Sequence, residues 1–302
     1  RKLACTALCA QEYPRDGRSP LCSIPGFHVQ CVRGDIVHIV NLGVAQQFLG
    51  SCFIEMLSCG VFGNSQLPVA ALLRDAYRSF KEHLRRYKVQ SSQPRFTIRR
   101  LGRTQLRQNK FPLLKAKAWN TRCISSWMCE IAAASECDGR HAELRRHCCL
   151  QLAAWFTGVE RAGRFPSVEE CAKLKGHAIQ FLRGYGELAK LACAQRLALY
   201  PLKPKLHRWH HIARDLAREG CNPRYFCCYS DEDLCGKLKR IAVRVRKRRH
   251  AERTLQRYRV LLGCNWRDCR DGAISATRLR KTNVQKRPRA LHAHAYLQNY
   301  IS

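Results

Sequence analysis

The chain has 302 residues, of which 46% are hydrophobic, and its 55 Lys+Arg against 22 Asp+Glu give a formal net charge of +33. The apolar content is sufficient for a buried core, which excludes a wholly disordered protein. A charge of this size disfavours the compact state unless a polyanion relieves the repulsion, and each phosphate contact also releases condensed counterions. Nucleic acid is therefore the expected partner, ahead of an anionic membrane, an acidic protein or a basic protein that binds none of these.

The 19 cysteines bear on the compartment. Disulfide frameworks are typical of short secreted chains with an even number of cysteines, whereas this chain is long, its count is odd and its first residues lack a signal-peptide pattern. We expect reduced thiols that serve as small core residues in an intracellular, nuclear protein. No apolar run approaches the roughly 18 to 20 residues of a membrane span, so we expect no membrane partner. The chain opens with Arg1 rather than Met, and a fragment of a longer protein is one interpretation.

The sequence pattern, taken in chain order, predicts a mainly helical protein. Residues 1–34 are rich in Pro, Gly and Cys and are expected to form loops and a short strand. From Asp35 to about Gly60, apolar residues lie on both flanks of one helix, which is the pattern of a buried helix. Further helices are expected at 68–88, 112–134, 140–160, 167–200, 204–219 and 231–262, followed by a loose basic tail from 271. Residues near 27–33 and 224–229 are expected to feed a small sheet, and 95–98 to form a short strand.

One candidate site residue lies where the N-terminal loop becomes the buried helix. Asp35 stands at that boundary, and His38 follows one turn later. Aspartate is a preferred N-cap because its carboxylate accepts hydrogen bonds from the backbone N–H groups of the first turn. The same position at the end of an element also suits a metal ligand that reaches into a cleft. Both interpretations are open from the sequence.

A second group of acids follows the aromatic run 225–229. Asp231, Glu232 and Asp233 are consecutive, although the chain is poor in acids. They suit the first turn of a helix, where negative charge is favoured, and Ser230 with Asp233 resembles a capping box. The alternative is that the carboxylates hold a divalent cation, for which Mg²⁺ or Mn²⁺ is expected.

Basic residues are concentrated in two segments that are expected to contact phosphates. The later segment contributes Lys237, Lys239, Arg240, Arg244, Arg246, Lys247, Arg248, Arg249, Arg253 and Arg257, and the earlier one contributes Lys203, Lys205 and His207. An ordinary exposed helix face and a nuclear import signal are the alternatives for the later segment. His207, His210 and His211 share one helical face, where a core or DNA-facing role is favoured over zinc binding.

Three short motifs in this chain resemble those of CACTA and Plavaka-type DDE transposases. Asp35 to Gly43 resembles the second-aspartate motif, in which Asp-x-x-His leads into a buried helix with Leu-Gly. Residues 203–207 resemble the Pro-Lys-x-His segment, and 232–238 are similar to the Glu-Arg-Phe-x-Gly-x-Leu motif, whose glutamate is the third acid. The motifs occur in the order of the family, and 197 residues separate Asp35 from Glu232.

The resemblance implies a fold that is mainly α with a small α/β part, in which a partial RNase H-like core is interrupted by a large helical insertion. On this basis 35–60 and 201–262 form the core, 61–200 the insertion, 1–34 an N-terminal loop or strand segment, and 263–302 a basic flexible tail. Asp35 and Glu232 would be the catalytic and metal-binding acids, and helical phase makes Asp231 the alternate third acid. They would hold Mg²⁺ or Mn²⁺ for two-metal phosphoryl transfer.

The sequence departs from the family in two respects. Glu-Asp-Leu replaces Glu-Arg-Phe at 232–234, and the first aspartate of the family has no counterpart before Asp35. The resemblance therefore implies a transposase-derived DNA-binding protein in which DNA strand cleavage and transfer are impaired or lost, with RNA as an alternative ligand. A second interpretation is a non-catalytic basic helical module that binds nucleic acid or chromatin and has no metal site.

Overall fold

The computed structural model of the chain describes residues 24–26, 33–64, 66–135, 138–245 and 249–270, without the side chains of 230–233 and 261–270. The described part is mainly helical. Its α-helices are α1 (Gln46–Ser58), α2 (Val69–Arg86), α3 (Ala118–Ala134), α4 (Arg140–Arg161), α5 (Val168–Ala194), α6 (Pro204–Glu219), α7 (Tyr229–Ala242) and α8 (His250–Arg270). A π-helical segment, Val37–Ala45, runs directly into α1, and 3₁₀ turns occupy Ile98–Leu101 and Pro223–Phe226.

The centre of the fold is the helix Val37–Ser58, which joins the π-helical segment to α1. Its length and composition would suit a membrane span, but 83% of its most apolar stretch is buried inside the protein, as is usual for a core helix. Around it, α3 packs on α4, α4 on α5 and α5 on α6, and the π-helical segment contacts both α3 and α6. The central helix thereby closes the bundle, and the predicted buried helix at 35–59 is confirmed.

Aromatic side chains pack against the central helix in two clusters. Phe48, which is fully buried, stacks edge to face on Phe181 at a centroid distance of 5.0 Å and also contacts Tyr185 and Tyr200. One turn later, Phe53 meets the second cluster, whose other members are Phe62, Phe80, Phe96 and Trp127. One apolar core containing both clusters extends from Ile36 to Leu216. The predicted division into a core and an insertion at 61–200 stays a prediction.

Several helix boundaries differ from the predicted ones. The helix α6 has the predicted bounds, whereas α3 begins at Ala118 and not near 112. Residues 113–115 instead run extended across the central helix, where the backbone N–H of Leu114 donates to the carbonyl oxygen of Gln46 at 3.0 Å. Gly50 permits this approach, because a Cβ there would lie 2.8 Å from the nitrogen of Leu114. The predicted helix 167–200 ends at Ala194.

The predicted strands at 95–98 and 224–229 are wrong. The side chain of Thr97 accepts a hydrogen bond from the N–H of Arg100 and starts the turn Ile98–Leu101. Asn222 does the same for Arg224 at the start of Pro223–Phe226. Residues 27–32, the expected partner strand, lie outside the described residues, and the described ranges contain no strand. The mainly α class is confirmed, and the finer RNase H-like core is not.

The single helix expected at 231–262 is also wrong, because two helices occupy this region. The chain turns after Ala242, where the N–H of Val245 donates a hydrogen bond to the carbonyl oxygen of Ala242 at 3.0 Å. Val245 turns inward, with 8% of its surface exposed, and Arg249 adopts a positive φ of 57° just before α8. The result is a helical hairpin of α7 and α8. The predicted tail from 271 lies outside the described residues.

We expect Phe48→Ala to lower the free energy of unfolding by about 3–5 kcal/mol, because it removes a fully buried ring and leaves a cavity. Urea denaturation monitored by circular dichroism measures the change. The control is Phe165→Ala, where 73% of the residue is exposed and the expected loss is below about 1 kcal/mol. Equal losses in the two variants would contradict the central position of Phe48.

Candidate metal centre and basic surface

Asp35 caps the first turn of the central helix. Its carboxylate accepts hydrogen bonds from the backbone N–H groups of Val37, at 3.0 Å, and His38, at 3.1 Å. Its carbonyl oxygen accepts the first helical hydrogen bond, from the N–H of Ile39 at 3.0 Å. The capping interpretation of Asp35 is therefore confirmed.

The same carboxylate also belongs to a cluster of three side chains with metal-binding atoms. Asp35 Oδ2 lies 2.6 Å from His38 Nδ1 and accepts a hydrogen bond from the Cys228 thiol at 3.0 Å. Cys228 Sγ lies 3.3 Å from His38 Nδ1, so the three atoms form a closed triangle. Asp35 Oδ1 accepts a further hydrogen bond from the N–H of Cys228 at 3.3 Å. Residues 193 positions apart in the chain thus share one site.

Two contacts beside the triangle hold its two chain segments together. Arg33 forms an ion pair with Glu219, at the end of α6, and its guanidinium lies 5.3 Å from the ring centroid of Phe226. The amide of Asn41, inside the π-helical segment, donates to the hydroxyl oxygen of Tyr229 at 2.9 Å. Tyr229 is the first residue of α7, so α7 begins against the central helix.

The turn that delivers Cys228 to Asp35 is itself fixed by buried polar contacts. Asn222 is fully buried, and its amide donates to the carbonyl oxygens of Val159, Ala162 and Gly163 at 2.9–3.2 Å. Its side-chain oxygen accepts a hydrogen bond from the N–H of Arg224 at 3.0 Å. These contacts anchor the turn Pro223–Phe226 to the end of α4.

Glu160 joins this anchor to the rest of the bundle. Its carboxylate is paired with Arg224 at 2.9 Å and with Arg122 of α3 at 2.6 Å. The Arg122 and Glu160 side chains are each 11% exposed, so screening by solvent is limited. The position of Cys228 therefore depends on α3 and α4 as well as on the central helix.

The segment containing the second motif lies against the first motif. Lys205 crosses the π-helical segment at Gly43, where a Cβ would lie 2.5 Å from the lysine Cδ. Only glycine permits this contact without displacement of the lysine. The segments around Lys205 and Cys228 therefore both contact the stretch 35–43, the first at Gly43 and the second at Asp35.

The electrostatics of Asp35 favour its charged form. Burial raises the pKa of this carboxyl, but the hydrogen bonds from Cys228, His38 and the backbone of Val37 outweigh that effect and lower the pKa below its ordinary value of 3.8. The carboxylate is consequently ionised at neutral pH. The exposed fraction of the His38 side chain is 53%, so the triangle opens towards solvent on that side.

Asp231 and Glu232, the predicted second acids, belong to α7. The backbone of Asp231 and Glu232 lies in the first turns of α7, but their side chains lie outside the description. The prediction that they hold Mg²⁺ or Mn²⁺ with Asp35 stays a prediction. The residue found next to Asp35 is Cys228. Sequence reasoning missed it because the pair Cys227–Cys228 matches no zinc-finger spacing. Its one local signal is a thiol just before a predicted helix.

The described cations of the α7–α8 hairpin are exposed. They are Lys237, Lys239, Arg240, Arg244, Arg249, Arg253, Arg257 and Arg259, whereas Arg246, Lys247 and Arg248 lie outside the described residues. Arg257 also donates to the carbonyl oxygen of Arg244 at 3.2 Å and so helps to close the hairpin. Because Arg253 and Arg257 are spaced four residues apart within α8, they share one face, and Arg249 lies just before the first turn of that helix.

The earlier basic segment is only partly available to a ligand. Lys203 and His207 are exposed, whereas Lys205 is half-buried over Gly43. His207 Nε2 lies 2.9 Å from His211 Nε2, so these two imidazoles share a hydrogen bond. This accounts for the histidine pair without a metal.

Comparison of the chain with protein-family models, curated proteins and solved structures finds no match in any of the three. The resemblance to DDE transposases therefore rests on the three sequence motifs alone.

We expect Asn222→Ala to lower the free energy of unfolding by about 1–3 kcal/mol, because it leaves buried carbonyl oxygens without a donor. Chemical denaturation measures the loss. The control is Asn64→Ala, since exposed Asn64 accepts one local hydrogen bond, from the N–H of Gln66. A loss no larger than that of the control would show that Asn222 is not the anchor of the turn.

Proposed function

We propose that this protein binds DNA through the α7–α8 hairpin and derives from a DDE-type transposase whose strand cleavage and transfer are impaired or lost. The observation that carries the proposal is the row of exposed cations on the hairpin. Glu252 is the one acidic residue in the sequence from 237 to 260, so neutralisation within the hairpin is slight. A cationic surface of this kind gains free energy from phosphate contacts through counterion release.

The shape of the hairpin supports contact with a duplex. The 21 residues of α8 give a helix about 31 Å long at about 1.5 Å per residue. This helix carries Arg253 and Arg257 on one face, with Arg249 just before its first turn, so the three cations can contact successive phosphates along one groove edge. Contacts with phosphates position a protein on nucleic acid without reading its sequence. We therefore propose DNA binding with weak sequence selectivity, and RNA is the alternative ligand.

The transposase origin is supported by two contacts with the first motif. Lys205 of the second motif lies over Gly43, and Cys228, four residues before the third motif, contacts Asp35. The resemblance implies that the three motifs belong to one catalytic centre, and these two contacts agree with that placement. The Asp35 cap and the unmatched first aspartate of the family support loss of catalysis. The alternative, a basic helical binding module, shares the DNA-binding proposal but differs in origin and in having no site for Mg²⁺ or Mn²⁺.

We expect the affinity of the chain for duplex DNA to fall with salt along a log–log slope of roughly −5 or steeper, at about −0.9 per phosphate contact. Fluorescence anisotropy with two unrelated duplexes measures this slope. The triple variant Lys239→Gln, Arg249→Gln, Arg253→Gln should make the slope shallower by up to about 2.7.

The control for this experiment changes the net charge equally but elsewhere. Arg74, Arg85 and Arg183 are exposed residues of α2 and α5, and their replacement by Gln also removes three charges. This variant should retain the wild-type slope. A slope near zero for the wild type, or equal changes in both variants, would refute binding through the hairpin.

We expect no cleavage of supercoiled DNA above background in Mg²⁺ or Mn²⁺, because the acidic triad is incomplete. A plasmid-nicking assay with wild type, Asp35→Asn and Glu232→Gln should give three indistinguishable results. Cleavage by the wild type that both substitutions abolish would show an active two-metal centre and overturn the proposed loss of catalysis.

A further inference from the structure

We propose that Asp35, His38 and Cys228 bind one Zn²⁺ ion, with a fourth coordination position open to solvent. This goes beyond the proposed function, does not depend on it, and concerns a different metal from the Mg²⁺ or Mn²⁺ implied by the transposase motifs. The observation that carries it is the triangle of one carboxylate oxygen, one imidazole nitrogen and one thiol sulfur from two distant chain segments.

The types of donor select the metal. Zinc is bound in proteins by thiolate sulfur, imidazole nitrogen and carboxylate oxygen, and three protein ligands with one open position is a recurrent zinc arrangement. Magnesium and manganese favour oxygen donors, and a thiolate is a poor ligand for both. Cys228 therefore makes the triangle a zinc site whether or not Glu232 approaches it.

The three ligand atoms need to move only slightly to bind a zinc ion. Its edges are 2.6, 3.0 and 3.3 Å. Around a tetrahedral zinc with bonds of about 2.0–2.3 Å, neighbouring ligand atoms lie roughly 3.3–3.6 Å apart. The three side chains need to open by less than about 1 Å, and the ion then takes the place of the proton that the Cys228 thiol shares with Asp35. That proton is released to solvent, and neutral His38 carries its own proton on Nε2, so that Nδ1 can bind the ion.

The same geometry disfavours a nucleophilic cysteine. In a Cys–His–carboxylate relay, one ring nitrogen faces the sulfur and the other faces the carboxylate. Here His38 Nδ1 faces both Cys228 Sγ and Asp35 Oδ2. Three donors that converge on one point are the arrangement of a chelate.

The backbone supplies the support that a metal ligand requires. Asp35 is held by the N–H groups of Val37, His38 and Cys228, so its carboxylate is oriented before an ion arrives. Cys228 follows the turn anchored by Asn222. Bound zinc would cross-link the start of the central helix to the start of α7, and would so hold the first turn of the α7–α8 hairpin in place.

The test uses the full chain, stripped of metal and then equilibrated with Zn²⁺ in the presence of a weak chelator that removes loosely held ions. We expect one tightly bound zinc per chain in the wild type. His38→Ala and Cys228→Ser should each lower the affinity by more than about 100-fold, because loss of even an outer-shell partner costs 10–100-fold. Asp35→Asn should also weaken binding while it keeps the helix cap, since asparagine caps as well as aspartate.

The matched control is Cys227→Ser, which changes the neighbouring half-buried thiol and should keep the zinc. Substitution with Co²⁺ supplies a second readout, since a thiolate–cobalt bond gives a charge-transfer band that Cys228→Ser should remove and Cys227→Ser should retain. Glu232→Gln should bind zinc as the wild type does. Loss of zinc in Glu232→Gln would assign the ion to the acidic site.

Three results would overturn the proposal. They are equal zinc affinity in Cys228→Ser and the wild type, equal loss in Cys227→Ser, and retention of zinc by His38→Ala. If Cys228→Ser fails to fold by circular dichroism, His38→Ala decides, because its exposed side chain makes little packing contribution to the fold. The DNA-binding assay is scored separately, so failure of one proposal leaves the other intact.

Discussion

The helix Val37–Ser58 constrains the fold because it has apolar residues around its whole circumference. Such a helix is stable only when protein surrounds it, since each exposed face would leave hydrocarbon in water. The α3–α6 bundle and the extended segment at 113–115 provide that surrounding. At its N-terminal end the backbone N–H groups of this buried helix come near the surface. Asp35 accepts hydrogen bonds from these N–H groups, and the Asp35 carboxylate and the His38 imidazole therefore lie at the edge of the core.

One carboxylate also lies deep within the central helix. Glu55 is 8% exposed and accepts hydrogen bonds from the hydroxyl of Tyr200 and from Arg145 Nη1 at 3.4 Å, while His141 Nδ1 lies 2.7 Å away. An ion pair buried in this way is costly to desolvate, so it is weak evidence of stability. Replacement of only one partner is more damaging, because the charge left buried without a partner costs about 3–5 kcal/mol. The pairing fixes the rotation of α1 against α4.

The sequence predicts the helices well and the connections poorly, for physical reasons. The bounds of α6 follow from Pro204 at its first position and Gly220, with φ of +60°, after its end. The run at 225–229 resembles a strand because it is rich in aromatic residues, and that composition alone does not distinguish a strand from a 3₁₀ turn. The side chain of Asn222 decides between them. Asp35 and His38 were identified from local spacing, whereas Cys228 was not, because no local pattern encodes a contact 193 residues away.

That separation has a consequence for how the molecule is made. Closing a chain loop of this length delays the contact relative to local helix formation, because the loop entropy is lost before the contact contributes. During synthesis from the N-terminus, Asp35 emerges long before its partner. The central helix therefore begins with an exposed aspartate–histidine pair until residue 228 has been translated. A chain released before that point lacks Cys228 and the α7–α8 hairpin, so both activities proposed for this protein require translation through that hairpin.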